Sequence, residues 1–528
     1  MESLFNRLYR PERSTRVAVL YDGTSLTYED LRERTIRAAE ALNAVGIDAG
    51  DRVGILLTDS PEFIAAFVAV ISLGAIAVPI NLALRGEDQL FILKDCGARA
   101  AIIEAKAAET LFQASGTRTD LKDLLVVRPY EAEAVQSIAG MNVWDFHSIR
   151  ESLDREFPTR DNENADAFIL YTSGSTGEPK GAVHRQADIF YTNETFCAEV
   201  LKLHEGDRLF SSSRLPFAYG LGNSFTFPLL NGFTTVLCRQ KPAPEIVSRV
   251  FQECRPTIFF GVPVVYSMLL EHHRQGNELD TSSLRLCVSA GEALPAQLGE
   301  DWEKTFGVEV LDGIGSTEML HMFMSNHEGD VRYGTSGKLL RGYEARLVDH
   351  EGAPTSPGEA GNLWIRGDSA ALRYWERPET SSETFVEGWV RTGDLYVQDA
   401  DGFWRHMGRS DDCFKPTGQW VSPLEVENVL LRHESLRAAA VVEGFDDHGL
   451  SCACAFVVMT DRSNAAEPEL RALCESALPR FKQPRRYLFV SELPYTATGK
   501  VQRFKLREQL RNVLSPKSNA QSLSSGTD

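Results

Sequence analysis

Tyr171-Thr-Ser-Gly-Ser-Thr-Gly-Glu-Pro-Lys180-Gly181 is the stretch that decides how the rest is read. It follows an apolar run, Ala167-Phe-Ile-Leu170, which predicts a buried strand over Ala167–Tyr171. Thr172, Ser173 and Ser175 precede Thr176, so hydroxyl donors cluster. Gly174 and Gly177 permit backbone turns that aim N–H groups at one anion, and Lys180 adds a point charge. This chemistry suits a polyphosphate. It is not a Walker loop, which needs Gly-x-x-x-x-Gly-Lys-[Ser/Thr], because Pro179 precedes Lys180. A solvated turn is the alternative reading, and it leaves the density of hydroxyls and glycines unexplained.

The surrounding composition bounds the answer. The chain has 528 residues, with 55 basic and 74 acidic side chains and a formal charge of −19. That balance argues against a nucleic-acid backbone binder, which needs concentrated Lys and Arg. A small anion is still allowed, since a local loop can hold phosphate in an acidic protein. Hydrophobic residues at 43% and charged residues at 24% are ordinary globular usage and exclude disorder, collagen and coiled coil for most of the chain. The nine cysteines are scattered without a Cys-x-x-Cys pair, so neither a disulfide framework nor a structural zinc site is expected. They read as reduced thiols in a cytoplasmic protein. The first residues, MESLFNRLYRPERSTR, carry no apolar signal core. Phe63–Leu84 runs without a charge, but Gly74, Pro79 and Asn81 interrupt it. It is expected to split into a helix opened by Ser60 and Pro61 and a buried strand near Ala75–Ile80, not to span a membrane.

Alternation of helix and strand patterns organises most of the chain. Thr27 and Asp30 form a candidate capping box before a helical stripe at Leu31, Ala38, Leu42 and Val45. Arg52–Leu57, Ala100–Ile103 and Leu124–Val127 read as short buried strands, which predicts a parallel α/β sheet. The polar string at 160–164 reads as a loop. The pattern then repeats over residues 165–335, with strands expected at Thr234–Leu237, Thr257–Phe260, Leu284–Ser289 and Glu309–Asp312. From about 336 strands separated by Gly- and Pro-rich turns predict a β-rich lobe. From about 411 the pattern becomes α+β: a helix over Pro423–Arg432, strands over Ala438–Glu443 and Cys452–Met459, and a helix over Glu467–Leu478. The expected architecture is a large α/β N-terminal domain over 1–410, built from two parallel-sheet subdomains and the β-rich lobe. A small mobile α+β domain over 411–514 follows, then a disordered Ser-rich tail over 515–528.

Four more strings carry chemistry. In Asp312-Gly-Ile-Gly-Ser-Thr-Glu318, Gly313 and Gly315 keep the backbone slim so that a ligand can lie against it. Thr317 offers a hydroxyl and Glu318 a hard oxygen of the kind Mg²⁺ accepts. Trp389-Val-Arg-Thr-Gly-Asp394 places a carboxylate at a strand end, where it can accept both hydroxyls of a ribose or simply form a turn. Gly408-Arg-Ser-Asp411-Asp-Cys-Phe-Lys415-Pro-Thr-Gly418 and Pro494-Tyr-Thr-Ala-Thr-Gly-Lys500 complete the set. Alone, Lys500 would read as a solvated surface charge.

Taken in order, these motifs resemble the adenylate-forming superfamily of acyl-CoA synthetases, luciferases and peptide-synthetase adenylation domains. The resemblance covers nearly the whole chain. It implies ATP, Mg²⁺ and CoA as cofactor and co-substrates, with Thr172–Gly177 and Lys180 on the phosphates. Thr317 would meet the α-phosphate and Glu318 the metal. Ala290, Gly291 and Glu292 would pack on adenine, and Asp312 would meet its amino group, with Gly313, Ile314, Gly315 and Ser316 beside it. Asp394 would hold the ribose and Arg409 the ribose or phosphate. Asp411 would be the hinge of the small domain. Lys415 would serve the thioester step, Gly418 would line the pantetheine tunnel, and Lys500 would reach into the site during adenylation. Many relatives have Val-Ser where this chain has Pro416-Thr417, which bears on the flexibility of that loop.

The implied reaction has two steps. A carboxylate attacks the α-phosphorus of ATP to give acyl-AMP and pyrophosphate, and a thiol then displaces AMP. No dedicated base for the thiol is evident, though His321 is available. For the acid, Phe217, Ala218, Tyr219 and Gly220, with Gly222, suggest a flat slot for a ring, against a core-packing alternative. Phe217-Ala-Tyr-Gly-Leu-Gly-Asn, Gly315-Ser-Thr-Glu-Met-Leu-His321 and Arg332-Tyr-Gly-Thr-Ser-Gly resemble the benzoate–CoA ligase branch, which includes 2-aminobenzoate ligases. Gly315 and His321 are therefore expected in the acid pocket, with a structural role for His321 as the alternative. The implied function is an aryl acid–CoA ligase, working without nucleic acid or membrane as monomer or homodimer. Two alternatives stand beside it: an adenylation enzyme loading a separate carrier protein, and a non-catalytic nucleotide-binding protein of the same fold.

Overall fold

A computed structural model describes residues 2–113, 121–127, 137–138, 140–148, 157, 164–173, 178–349, 351–416, 419–433, 435–446, 450–460, 466–495 and 501–514. The loop at 160–163, Gly174, Ser175, Thr176, Gly177, Thr417, Gly418, Lys500 and the tail over 515–528 lie outside the described residues. The chain divides into two compact units. One comprises Met1–Leu294, Leu298–Ala345 and Ile365–Arg391; the other comprises Pro295–Gln297, Arg346–Trp364 and Thr392–Asp528.

The first unit holds two nine-stranded sheets. In the first sheet Arg52–Leu56 pairs in parallel with Ile76–Pro79 on one side and Ala100–Glu104 on the other, and Asp123–Val127 follows. Both faces are covered. Val53 and Ile55 enter one apolar cluster, and Leu56 enters another beyond the sheet. Such strands are apolar throughout instead of alternating, as a doubly covered parallel sheet requires. Gly54 admits a helix on one face: a Cβ there would lie 2.6 Å from Leu93 Cδ2.

The helices sit where their caps put them. Thr27 and Asp30 form the reciprocal capping box of Tyr28–Ala44. Ser60 accepts the Phe63 amide at 3.3 Å, and Pro61 opens Pro61–Ser72. That helix is buried along nearly its whole length and is followed by the strand Ile76–Pro79, so the uncharged run is core. Among the described residues no helix is long and apolar enough to cross a membrane.

Sheet membership departs from chain order. The strands Asp166–Ser173 and Pro179–Arg185 complete the first sheet, not the second. Conversely, Val17–Tyr21 and Thr24–Thr27, from the N-terminal stretch, edge the second sheet beside Thr234–Leu237. That sheet is parallel through its interior, from Thr234–Leu237 to Val310–Gly315, and antiparallel at its edges. Patterning within a segment marks a strand as buried but does not say which sheet covers it.

Within the second unit a three-stranded sheet, Leu436–Phe445, Ser451–Met459 and Arg486–Phe489, is packed on both faces. Helices Pro423–Leu430 and Ala466–Ala477 supply one face, and Arg503–Leu514 supplies the other. A further five-stranded sheet includes Glu344–Val348, Gly361–Arg366, Trp389–Gln398 and Trp404–Arg409; the boundary between the units cuts the first three of these strands.

Candidate active site

Asp166–Ser173 and Pro179–Arg185 run antiparallel, with Thr172 opposite Lys180 and Ser173 opposite Pro179. The strands on either side of the hydroxyl- and glycine-rich loop therefore pair as antiparallel neighbours, with Thr172, Ser173 and Lys180 on the paired arms. A Walker loop instead opens a helix and exploits its N-terminus. Here Lys180 sits on a strand, and its direction is set by the pleat.

Tyr374 organises the charges around that lysine. It lies on the two-residue strand Arg373–Tyr374, which pairs with Ala182 and Val183. Lys180 Nζ stands 5.0 Å from the centre of its ring, a cation–π distance. The Tyr374 hydroxyl donates to Glu318 Oε1 at 2.6 Å. The Ala371 amide donates to the Glu318 carbonyl at 2.7 Å, and the Trp375 amide to the Gly181 carbonyl at 2.7 Å. One side chain thus contacts both a cation and a carboxylate. Tyr374 stands outside every motif read from the sequence. A lone tyrosine in Leu372-Arg-Tyr-Trp375 gives no signal, because its role arises from strand pairing across the chain.

Thr317 and Glu318 occupy a short 3₁₀ turn, Thr317–Met319, whose N-cap Ser316 accepts the Met319 amide at 3.2 Å. The turn ends at Leu320, a non-glycine residue at φ 63°, which turns the chain back toward His321. Gly313 and Gly315 each stand close against the returning strand. A Cβ at Gly313 would lie 2.4 Å from the Met324 carbonyl oxygen, and one at Gly315 2.5 Å from that of His321. The returning strand Met322–Ser325 fills the room, so the glycines serve strand packing.

Asp312 lies in the strand Val310–Gly315 and is 2% exposed. Its Oδ2 accepts the Leu294 amide at 3.2 Å, and its Oδ1 has no hydrogen-bond partner among the described residues. Burial pushes the carboxyl up to about 8. An orphaned buried acceptor of this kind suits the exocyclic amino group of adenine. Ala290 is buried, whereas Gly291, at φ 91°, and Glu292 are exposed.

Beside the expected ring slot, Ala218, Leu221, Gly222, Ile189, Thr192, Thr226, Leu320 and His321 line a crevice too narrow to admit a water molecule. Of the residues expected in the slot, Ala218 and His321 line this crevice. Tyr219 packs 5.6 Å from His321, ring to ring, and its hydroxyl donates to the Val288 carbonyl at 3.2 Å. Phe217 caps the following helix, and the space beside Gly220 is taken by the Arg214 carbonyl oxygen; neither residue lines the cavity. Gly315 does not line it either. Ile189, Thr192 and Thr226 come from helical segments whose apolar spacing reads only as core. Gly222–Thr226 is a π-helical turn, a widened geometry without a sequence signature.

His321 is 3% exposed, and its Nε2 lies 3.2 Å from Asn223 Oδ1. Phe196 and Phe227 pack on the ring at 4.7 and 4.6 Å. Desolvation pushes its pKa down to about 3. The ring is therefore neutral and a poor base, which corrects the expectation that it could deprotonate a thiol. As a neutral group it can still shape the cavity floor.

The other expected residues belong to the second unit. Asp394 and Arg409 face each other in register on paired strands, 3.5 Å between Oδ1 and a guanidinium nitrogen. His406 Nε2 lies 3.4 Å from the same carboxylate oxygen. Arg409 also donates to the Thr392 carbonyl at 2.8 Å. Asp411 follows in an exposed turn, and Lys415 Nζ stands 4.2 Å over the Trp420 ring.

The donor set fits a metal held mainly by a nucleotide. Among the described residues no group of three or more His, Cys, Asp or Glu side chains could cage an ion. Mg²⁺ commonly takes one or two carboxylates and completes its shell with phosphate and water, which Glu318 can satisfy.

Comparison with known proteins agrees with this geometry. Residues 10–375 match the AMP-binding enzyme family, and residues 425–500 match the AMP-binding enzyme C-terminal domain. The benzoate–CoA ligase of Thauera aromatica is 39% identical over 96% of this chain and 95% of its own length. The crystal structure of an anthranilate CoA ligase in complex with anthranoyl-AMP superposes with a TM-score of 0.89 at 37% identity, covering 97% of this chain and 98% of that one. A benzoate CoA ligase from Burkholderia xenovorans gives 0.85 at 36% identity, covering 96% and 100%. With a lysine and a carboxylate gathered on one tyrosine beside a pair of antiparallel strands, and with matches spanning both units, the chain belongs to the AMP-binding enzyme family.

Proposed function

We propose that this protein is an aryl acid–CoA ligase that converts benzoate or a substituted benzoate to its CoA thioester through an acyl-AMP. The observation that carries the proposal is the Lys180–Tyr374–Glu318 arrangement, a pair of opposite charges on one tyrosine beside the paired strands. An acid attacking ATP brings two anions together, so placed positive charge is what the reaction needs. Lys180 would steady the outgoing phosphates. Lys500 would bridge the incoming carboxylate and the α-phosphate, and Thr317 would hold that phosphate. Glu318 would hold Mg²⁺, which supplies Lewis-acid charge stabilisation when bound. Asp312 would take the adenine amino group, with Ala290–Glu292 against the ring, and Asp394 and Arg409 would take the ribose. Orienting the reactants in this way can contribute about 7–11 kcal/mol.

The apolar crevice beside His321 supports an acid whose body is uncharged. Its wall is apolar apart from Thr192, Thr226 and the neutral imidazole, with no described lysine or arginine lining it for a second carboxylate. The names of the similar enzymes, benzoate and anthranilate ligases, support the same class. In the second step Lys415 and Gly418 would serve the thiol after a swing at Asp411 of a small domain over 411–514. A monomer or homodimer in the cytoplasm suits such a ligase.

The test is acid-dependent release of AMP from ATP and CoA across a panel of benzoates, medium-chain fatty acids and a carrier protein in place of free CoA. Benzoate, or an amino, hydroxy or halo derivative, should give the highest kcat/KM. A fatty acid exceeding every aryl acid would overturn the substrate class, and a preference for the carrier would overturn the acceptor.

A further inference from the structure

His184 lies four residues beyond Lys180 on the same strand, so the two side chains share a face. Its ring is fully buried. Nδ1 stands 2.9 Å from Asp188 Oδ2, and Nε2 stands 2.8 Å from the carbonyl oxygen of Thr317. A backbone carbonyl can only accept, so Nε2 must carry a hydrogen. Asp188 is itself fully buried and takes two further hydrogen bonds and an ion-pair contact from Arg185. The Arg185 backbone amide gives 3.0 Å to Oδ2, Nε gives 2.9 Å to Oδ1, and a terminal guanidinium nitrogen lies 2.8 Å from Oδ1. A carboxylate so supplied is held as an acceptor, which requires a hydrogen on Nδ1 as well. The Phe168 ring stacks on the imidazole with centres 5.2 Å apart and planes 17° apart, an arrangement that favours a cation.

We propose that His184 is a positioning residue of the phosphate site: a doubly protonated imidazolium, balanced by Asp188, that ties the strand bearing Lys180 to the turn bearing Thr317 and Glu318. The inference rests on the reading of that turn as a phosphate site. A neutral ring would offer one donor for two acceptors and leave a buried contact between lone pairs. With both hydrogens in place, strand and turn move as one body. The distance between Lys180 and Glu318 is then set twice, once through Tyr374 and once through His184.

The test separates charge from activity. In the ligand-free protein at neutral pH, with histidine nitrogens labelled and the His184 signals assigned by their loss in His184→Gln, both ring nitrogens should be of the protonated type. A ring with one unprotonated nitrogen overturns the proposal, whatever the enzyme does. His184→Gln can still donate to the Thr317 carbonyl but carries no charge. In acid-dependent pyrophosphate exchange its kcat should fall roughly 10- to 100-fold while KM for the acid holds, the signature of a misplaced charge. An unchanged kcat overturns the proposal. Should that variant not fold, Asp188→Asn keeps the Nε2 contact and offers Nδ1 a donor, so the ring should lose one hydrogen and kcat should fall likewise; an unaltered ring and rate are the contrary result. If no acid supports exchange in the parent chain, the functional reading fails, and the nitrogen spectrum still decides the state of His184.

Discussion

Asp312 shows how one buried group ties stability to pH. The unfolded chain releases the proton of an aspartic acid near pH 4, whereas burial holds the folded carboxyl's proton up to about 8. Between these limits the folded state binds more protons than the unfolded one. Stability contributed at this site is therefore present below about pH 4 and is lost as pH rises through about 8, by at most roughly 1.4 kcal/mol per unit. Asp312→Asn removes that dependence. Urea denaturation at a series of pH values should show the variant gaining on the parent as pH rises, and parallel curves would count against the buried acid. Tyr374 allows a second test at this scale. Tyr374→Phe keeps the ring under Lys180 and deletes the bond to Glu318. A hydrogen bond to a charged group contributes about 1.5–3 kcal/mol to the folded state, so the melting temperature should fall, and pyrophosphate exchange should slow by about tenfold or more as Glu318 loses its anchor.

Between elements, the cavity depends on how closely the π-helical turn approaches the segment that follows the Thr317–Met319 turn. A Cβ on Gly222 would lie 2.5 Å from His321 Cδ2. Gly222→Ala must therefore push the imidazole aside or shift the turn. Steady-state kinetics should show KM for the aryl acid rising and KM for ATP unchanged; equal effects on both would mean that the turn, not the cavity, had moved. This contact could not be read in advance, although both residues were in view. Glycines at 220 and 222 suggested room for a ring, whereas the backbone uses one against Arg214 and the other against His321. What was legible is local in origin. Ser60 with Pro61, and Thr27 with Asp30, announce their helices because caps act within one turn. Val310–Gly315 and its neighbours announce themselves by apolar runs between glycines and polar turns. The exchange of edge strands between the two sheets, the pairing that brings Tyr374 to Glu318 and the His184 bridge are all long-range. No periodicity in either partner encodes them.

At the scale of the molecule, the residues proposed to serve one reaction belong to two separately packed units. Lys180, Thr317, Glu318 and Asp312 belong to one, and Asp394, Arg409, Asp411 and Lys415 to the other. The flanks of Lys500 are fastened within the second unit. Tyr495 bridges Val501, the Gln502 amide donates to the Pro494 carbonyl at 2.8 Å, and Arg503 binds both oxygens of Glu427 at 2.8 Å. Arg507 binds Asp412, the residue after the proposed hinge, at 2.8 Å. Rotation about Asp411 would therefore carry the residues that flank Lys500 together with the helix that bears Glu427. A lysine that draws a carboxylate onto a phosphate has no task once acyl-AMP has formed. A thiol entering for the second step needs that space. Lys500 and Lys415 should consequently separate the half-reactions. Lys500→Ala should abolish acid-dependent pyrophosphate exchange yet largely retain thioester formation from supplied acyl-AMP. Lys415→Ala should do the reverse, keeping exchange while slowing transfer to CoA. Measuring both half-reactions in both variants decides the matter, because a single fixed site would lose the two activities together in each.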